Sequence, residues 1–501
     1  MNPITISSTI LDQQSDSTEY RLQPRISLKT LDGRYVSIAE LESFIVQIME
    51  QADVAGLSCA ILNDAHIVYQ KAFGYKNKDD GSLNDEQTIF SAASFSKTVF
   101  AYLAMVLVEE RILDLDTPLE KYLHQQLYEY LAYADLKVDD HWRQFTARRV
   151  LSHTTGLPNV RYIMPEGKLS ILFPPGARHS YSGEGIGLLQ MVVEEVTGRG
   201  LEELAQEKIF QPLGMNRTSY IWQPEFEANY ACPHDTYGRQ RGWKIQQSKA
   251  DAGGSMVTTA SDYARLLVSI LNAKGLRKAT MDEMLQPQIA INYQRMFGPE
   301  AWTMTDAYQD IHLAWGLGWG RFDTPYGRAF FHTGHGFGMQ NYTVTYLDAG
   351  IGIVLLSNSD NFESVAEEIA KKVIGDIYSP YDWLGYVPFD PTAEKKIPPP
   401  NPIATQVDPI ILAAYAGAYD MQPMMTIQVK FEEQQLFILP RFVHSWQPLL
   451  AETEANFFVQ GDEDWRICFV RDDTGTVTAL QLAYQGLEFP LAKKVVEERA
   501  E

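Results

Sequence analysis

Seven prolines, Pro388, Pro391, Pro398, Pro399, Pro400, Pro402 and Pro409, crowd into one short stretch of the 501-residue chain. Proline fixes φ and removes a backbone donor, so neither a helix nor a sheet ladder runs through such a stretch. It reads as a linker, stiff in places. The hydrophobic rhythm changes across it, so the chain is expected to fold as at least two units.

Upstream, helical and strand patterns mix. Ser37-Ile38-Ala39-Glu40 fits a capping box, and Ile38, Leu41, Ile45 and Ile48 follow at helical spacing. Leu57–Leu62 and His66–Phe73 read as two strands about a turn at Asn63-Asp64. Leu189, Val193 and Val196 mark one face of a helix that stops near Gly198, and Ser261 is expected to cap a helix over Ser261–Leu271. Strands are expected at Arg328–His332, Asn341–Leu347 and Ile351–Leu356. Downstream, short strands recur at Met425–Phe431, Gln435–Leu439, Phe457–Gln460, Arg466–Arg471, Val477–Tyr484 and Leu487–Leu491, with a hairpin turn at Asp472-Asp473-Thr474-Gly475. Residues 1–30 are polar and aperiodic and read as an arm.

Ser94-Phe95-Ser96-Lys97 runs straight into an apolar stretch, Val99 to Leu107, that reads as a buried helix. If Ser94 starts that helix, Lys97 lies one turn on and shares its face. The serine then sits where free backbone N–H groups favour developing negative charge. A serine hydroxyl becomes a nucleophile when a base takes its proton, and a desolvated lysine can be that base. Taken alone, a helix cap followed by a surface lysine is the simpler reading. Tyr181 and His332, each taken alone, likewise read as ordinary core residues.

The composition is that of a globular protein, with 45% hydrophobic and 21% charged residues. A net charge of −22 argues against nucleic acid or an anionic membrane as partner. Cys59, Cys232 and Cys468 lie far apart and read as buried thiols in a reducing compartment. With neither a signal-peptide pattern nor a bilayer-length apolar run, a soluble cytoplasmic protein is expected.

Ser94-Phe95-Ser96-Lys97, Tyr181-Ser182-Gly183 and His332-Thr333-Gly334 occur in that order. In this the chain resembles the serine beta-lactamase and penicillin-binding-protein superfamily, nearest its class C-like branch of D-peptidases, esterases and amidases. Leu151-Ser152-His153-Thr154-Thr155-Gly156-Leu157, Gln211–Thr218 and Ala252-Gly253-Gly254 are similar to that family too. Tyr415-Ala416-Gly417-Ala418-Tyr419 and Phe469-Val470-Arg471-Asp472-Asp473 resemble the lipocalin-like domain often appended to such hydrolases. The resemblance implies an α/β (α+β) catalytic domain over 31–380, with an antiparallel sheet flanked by helices. A linker over 381–408 and an all-β barrel-like domain over 409–501 follow.

It also implies roles. Ser94 attacks a carbonyl and becomes an acyl-enzyme, while Lys97 and Tyr181 share the proton transfers. The backbone N–H groups of Ser94 and His335 form the oxyanion hole. His332, Thr333, Gly334 and Gly183 bind substrate, and Gly334 lets the strand backbone approach it closely. Two positions depart from the family pattern: Gly183 stands where an asparagine is usual, and His332 stands where many penicillin-recognising enzymes carry lysine. A half-charged His332 would favour acidic substrates below about pH 7. Ser359-Asp360-Asn361 comes in the wrong order for a family motif and reads as a strand-end turn.

The expected function is therefore hydrolysis of small esters, amides or D-amino-acid-containing peptides through Ser94. The partner is a small molecule or short peptide, with no metal or organic cofactor implied and a homo-oligomer allowed. The alternatives are a beta-lactamase or penicillin-binding DD-peptidase, and an idle binding protein on the same fold.

Overall fold

The computed structural model describes residues 11–12, 21–22, 27–164, 167–241, 246–394, 396–398, 400, 402–421, 425–440, 446–484 and 487–495. The expected arm over 1–30 lies mostly outside them.

The larger unit is built on one antiparallel sheet of nine strands. Its spatial order is Ile289–Ala290, Ala314–Trp315, Gly320–Thr324, Gly327–Gly336, Met339–Tyr346, Ile351–Ser357, Gly56–Asn63, His66–Asn77 and Ser82–Leu83. Gly56–Asn63 and Ile351–Ser357 are buried at every residue, because helices cover both faces. Alternate residues serve opposite cores. Ala60, Leu62, Val354 and Leu356 face the core that contains helices Phe95–Glu109 and Ala260–Leu271. Leu57, Cys59, Ile61, Ile353 and Leu355 face the one that contains Ile38–Gln51 and Glu363–Ile374.

Several boundaries move by a residue or two, each for a local reason. The hairpin turns at Asp64-Ala65, one residue later than expected, and both residues have positive φ (51° and 60°), as a type I′ turn needs. Thr259 rather than Ser261 caps Ala260–Leu271, since its side chain accepts from Asp262 N at 3.2 Å.

The C-terminal unit is a closed eight-stranded antiparallel barrel. Gly417–Met421, Met425–Glu432, Gln435–Leu439, Gln447–Ala451, Asn456–Val459, Asp462–Arg471, Val477–Tyr484 and Ala492–Lys494 follow one another round the ring. Ala492–Lys494 closes it by pairing with both Val477–Tyr484 and Gly417–Met421, which leaves no open edge. The strand at Gln447–Ala451 escapes the sequence pattern because it holds Pro448. The strand expected over Leu487–Leu491 splits into Leu487–Glu488 and Ala492–Lys494 around Pro490.

Candidate active site

The serine helix begins at a strained corner. Phe90–Ser91 pairs with Val257–Thr258, and Ala92 N donates to Met256 O at 2.8 Å. Ala93 then takes φ +46°, a costly conformation for a residue with a Cβ. Ser94 follows as the N-cap residue of Phe95–Glu109, and its side chain caps nothing. Ser96 holds the corner shut: its hydroxyl donates to Ala93 O at 2.6 Å and accepts from Met256 N at 3.0 Å.

Lys97 is 4% exposed, and its Nζ lies 3.0 Å from Ser94 Oγ. The same Nζ donates to Gly253 O at 2.5 Å. That carbonyl is aimed by its neighbours, Gly253 N donating to Asp251 Oδ1 at 2.7 Å and Ala252 N to Gln190 Oε1 at 2.8 Å. Burial lowers the Lys97 pKa to about 8, with the Asp251 carboxylate opposing the shift. The lysine Nζ sits 5.1 Å from the centroid of the Tyr181 ring. Burial pushes the Tyr181 phenol well above its ordinary range, and the Ser94 hydroxyl works weakly against that. The Tyr181 oxygen is itself buried with no well-formed hydrogen bond. Ser94, Lys97 and Tyr181 thus converge, and of the two candidate bases only lysine can shed its proton near physiological pH.

Tyr181 is fixed by the residues next to it in the chain. Ser182 caps Gly183–Thr197, accepting from Gly185 N at 2.9 Å, while its own N–H donates to His153 Nδ1 at 3.1 Å. His153 is therefore a turn residue that orients the tyrosine motif. Gly183 brings no side chain, and the structure supplies a reason for the departure. Its N–H donates to Asn159 O at 3.0 Å and to Asn159 Oδ1 at 3.1 Å, and a Cβ there would meet Asn159 O at 2.7 Å. Restoring the family pattern with Gly183→Asn is expected to destabilise the fold by about 1–3 kcal/mol. A urea melt checks this.

Gly327–Gly336 passes in front of the serine corner. Its two-residue turn, Phe337-Gly338, makes Gly336 and Met339 the hydrogen-bonded pair. His335 and Gln340 are then a non-hydrogen-bonded pair, so the His335 N–H points away from Met339–Tyr346. The neighbour on that side, Gly320–Thr324, pairs no further than Phe331. The backbone of Thr333 and His335 thus lies on an open stretch of sheet edge. Gly334 is pressed against the corner: a Cβ would meet Ala92 O at 2.6 Å. Its close approach is to the Ser94 corner itself.

The His335 side chain pairs with Glu363 and packs edge-on against Tyr386. His332 is 1% exposed, its Nδ1 donating to Thr333 O at 2.6 Å. Burial, aided by Lys97, lowers its pKa to about 3, so the ring is neutral throughout the physiological range and gives no charge-based preference for acidic substrates. Ser359-Asp360-Asn361 is a turn after Ile351–Ser357. Gly253 and Asn159 carry contacts that the sequence did not assign. Gly253 acts through its carbonyl and Asn159 through both its carbonyl and its side-chain Oδ1, and no motif in the sequence announces either.

The sequence profile of the Beta-lactamase family matches residues 41–374, and residues 401–496 match a domain of unknown function (DUF3471). Penicillin-binding protein 4* of Bacillus subtilis is 23% identical over 74% of this chain and 81% of its own length. Lovastatin esterase of Penicillium rubens is 26% identical over 48% of this chain and 69% of its own. The solved octameric penicillin-binding protein homologue from Pyrococcus abyssi aligns over 91% of this chain and 100% of that one, with 22% identity and a TM-score of 0.55. Among the described residues no helix is long and apolar enough to cross a membrane. The matched profile covers well over half of the chain and all three motifs that meet at Ser94, and the chain belongs to the beta-lactamase family.

Proposed function

We propose that this protein hydrolyses small esters, then amides and D-amino-acid-containing peptides, through an acyl-enzyme on Ser94. The observation that carries the reading is the buried Lys97 Nζ lying 3.0 Å from Ser94 Oγ, with its pKa lowered to about 8. Neutral Lys97 takes the Ser94 proton as Oγ attacks the substrate carbonyl. The oxyanion gathers on the N–H groups of Ser94 and His335. The Tyr181 phenol, whose pKa stays high, donates to the leaving group and is reprotonated by the Lys97 ammonium. Water then attacks the acyl carbon by the same proton path in reverse, freeing Ser94.

Ester substrates come first for two reasons. Gly183 lies under Asn159 and offers no side-chain amide to a substrate acylamino group. Phe297, 43% exposed, packs edge-on against Tyr181 at 5.7 Å and gives the mouth an apolar wall. A relative named as an esterase fits the same reading.

Intact mass after incubation with a fluorophosphonate probe tests it. One adduct per chain is expected on the wild type, mapping to Ser94 and absent from Ser94→Ala. A wild type that stays unlabelled would sink the hydrolase reading in favour of a binding protein. Rapid nitrocefin turnover would move the substrate class to beta-lactams.

A further inference from the structure

The barrel and the hairpin beside the site meet across one buried arginine. Arg241 is 4% exposed, and its Nη2 donates to Asp360 Oδ2 at 2.5 Å. Asp360 Oδ1 in turn accepts from Gly338 N at 2.9 Å, in the Phe337-Gly338 turn. On the barrel side, Arg241 Nη1 lies 3.7 Å from Asp462 Oδ1 and 3.6 Å from Asp464 Oδ2. The guanidinium also rests over the Tyr484 ring, 5.2 Å from its centroid. Phe337 extends the junction, packing edge-on against Tyr484 at 4.6 Å and Trp465 at 5.8 Å.

The catalytic unit grips the same turn from behind. A Cβ at Gly338 would meet Pro233 Cβ at 2.6 Å and His234 N at 2.7 Å, and Arg241 N donates to Pro233 O at 2.8 Å. The turn is thus wedged between Pro233-His234 and the barrel, with Arg241 hydrogen-bonded to the first and ion-paired to the second. Only a planar, many-donor cation can face Asp360 and the two barrel carboxylates at once.

We propose that Arg241 is a positioning residue for acyl transfer: it ties the barrel to the Phe337-Gly338 turn and so fixes the His335 N–H, three residues away along a tight hairpin. This rests on the acyl-enzyme reading, in which that N–H holds the oxyanion. An oxyanion donor moved by about 1 Å costs on the order of 10²-fold in rate. The barrel therefore acts on the chemistry from outside the catalytic domain, through a charge cluster that touches no substrate.

The test compares full-length wild type with Arg241→Met, Arg241→Lys and the double variant Asp462→Asn/Asp464→Asn. Hydrolysis of p-nitrophenyl acetate, fluorophosphonate labelling and thermal melting are read for each. Arg241→Met is expected to lose about 10²-fold in kcat with KM unchanged, and still to label to completion. Arg241→Lys recovers part of the loss, because it restores the charge without the fork. The double variant keeps every side-chain shape and is expected to lose about tenfold in kcat. Wild-type kcat in the folded double variant would overturn the proposal, as would a loss confined to KM. Should Arg241→Met fail to fold, the double variant decides alone. An unlabelled wild type would bring down the acyl-enzyme reading and this proposal with it, and is distinct from any defect seen only in the variants.

Discussion

Lys97→Met is expected to lower kcat/KM for a generic ester by about 10³-fold or more while making the protein harder to unfold at pH 7. The loss follows from the position of Nζ, 3.0 Å from Ser94 Oγ, and from its lowered pKa. In the wild type, kcat/KM reports the ionisation of the free enzyme's base. In the mechanism proposed above neutral Lys97 is the active form, so the rate should climb with pH and reach half its plateau near the lysine pKa of about 8. A rate with no plateau above pH 8, still climbing well beyond about pH 10 where the burial-raised phenol would begin to ionise, would hand the role to Tyr181.

The stability gain has the opposite origin. An unfolded lysine titrates at 10.5, while buried Lys97 titrates at about 8. Between those values the unfolded chain binds more protons, so wild-type stability rises with pH across that window. Below about 8 the ammonium is charged in both states, and burying it costs about 3 kcal/mol. Methionine removes that cost but leaves the Gly253 carbonyl without its donor, which returns about 1–2 kcal/mol. The net gain at pH 7 is about 1–2 kcal/mol, and above the pKa of free lysine it should reverse, because only the lost Gly253 contact then remains. Urea melts of both proteins at neutral and strongly alkaline pH check this. A variant less stable at neutral pH would show that Lys97 is buried as a satisfied cation.

The same lysine shows which parts of the site the sequence exposes. Ser94 and Lys97 are legible because a helix turn brings them together, and Tyr181 because it opens a short ordered motif. The Lys97 partner is not, since Gly253 contributes only a carbonyl, aimed by Asp251 and by Gln190 from another element. Gly183 looks like a missing recognition residue in sequence. In three dimensions it is the one residue that fits beneath Asn159. The fold divides in the same way. The apolar run at Gly56–Asn63 reads as a strand, but its other neighbour is Ile351–Ser357, and no local pattern specifies that pairing. Its completely buried place in the sheet is fixed by that distant partner. Arg241 is hidden most thoroughly, because the role proposed for it exists only where the two units touch.

Gly334→Ala carries the second large effect: a loss of about 10²- to 10³-fold in kcat, with KM little changed. A Cβ at this position would meet Ala92 O at 2.6 Å and Asn341 Nδ2 at 3.0 Å. The first is backbone and cannot swing aside, because Ala92 O already accepts from Phe95 N at 3.0 Å in the first turn of the serine helix. Either the strand or the corner must move. The strand carries the His335 N–H and the corner carries Ser94, so the two proposed oxyanion donors separate whichever yields. Gly336 is the control, two residues along on the same strand. A Cβ there finds nothing nearer than Met339 Cβ at 3.6 Å, an ordinary contact, so Gly336→Ala should keep activity within about twofold. Stopped-flow kcat and KM, with melts to confirm folding, separate the two variants. Equal damage at both positions would mean that the strand needs glycine for flexibility. Damage at Gly334 alone places the requirement at its contact with Ala92, where the strand must lie close enough for two backbone amides to share one oxygen.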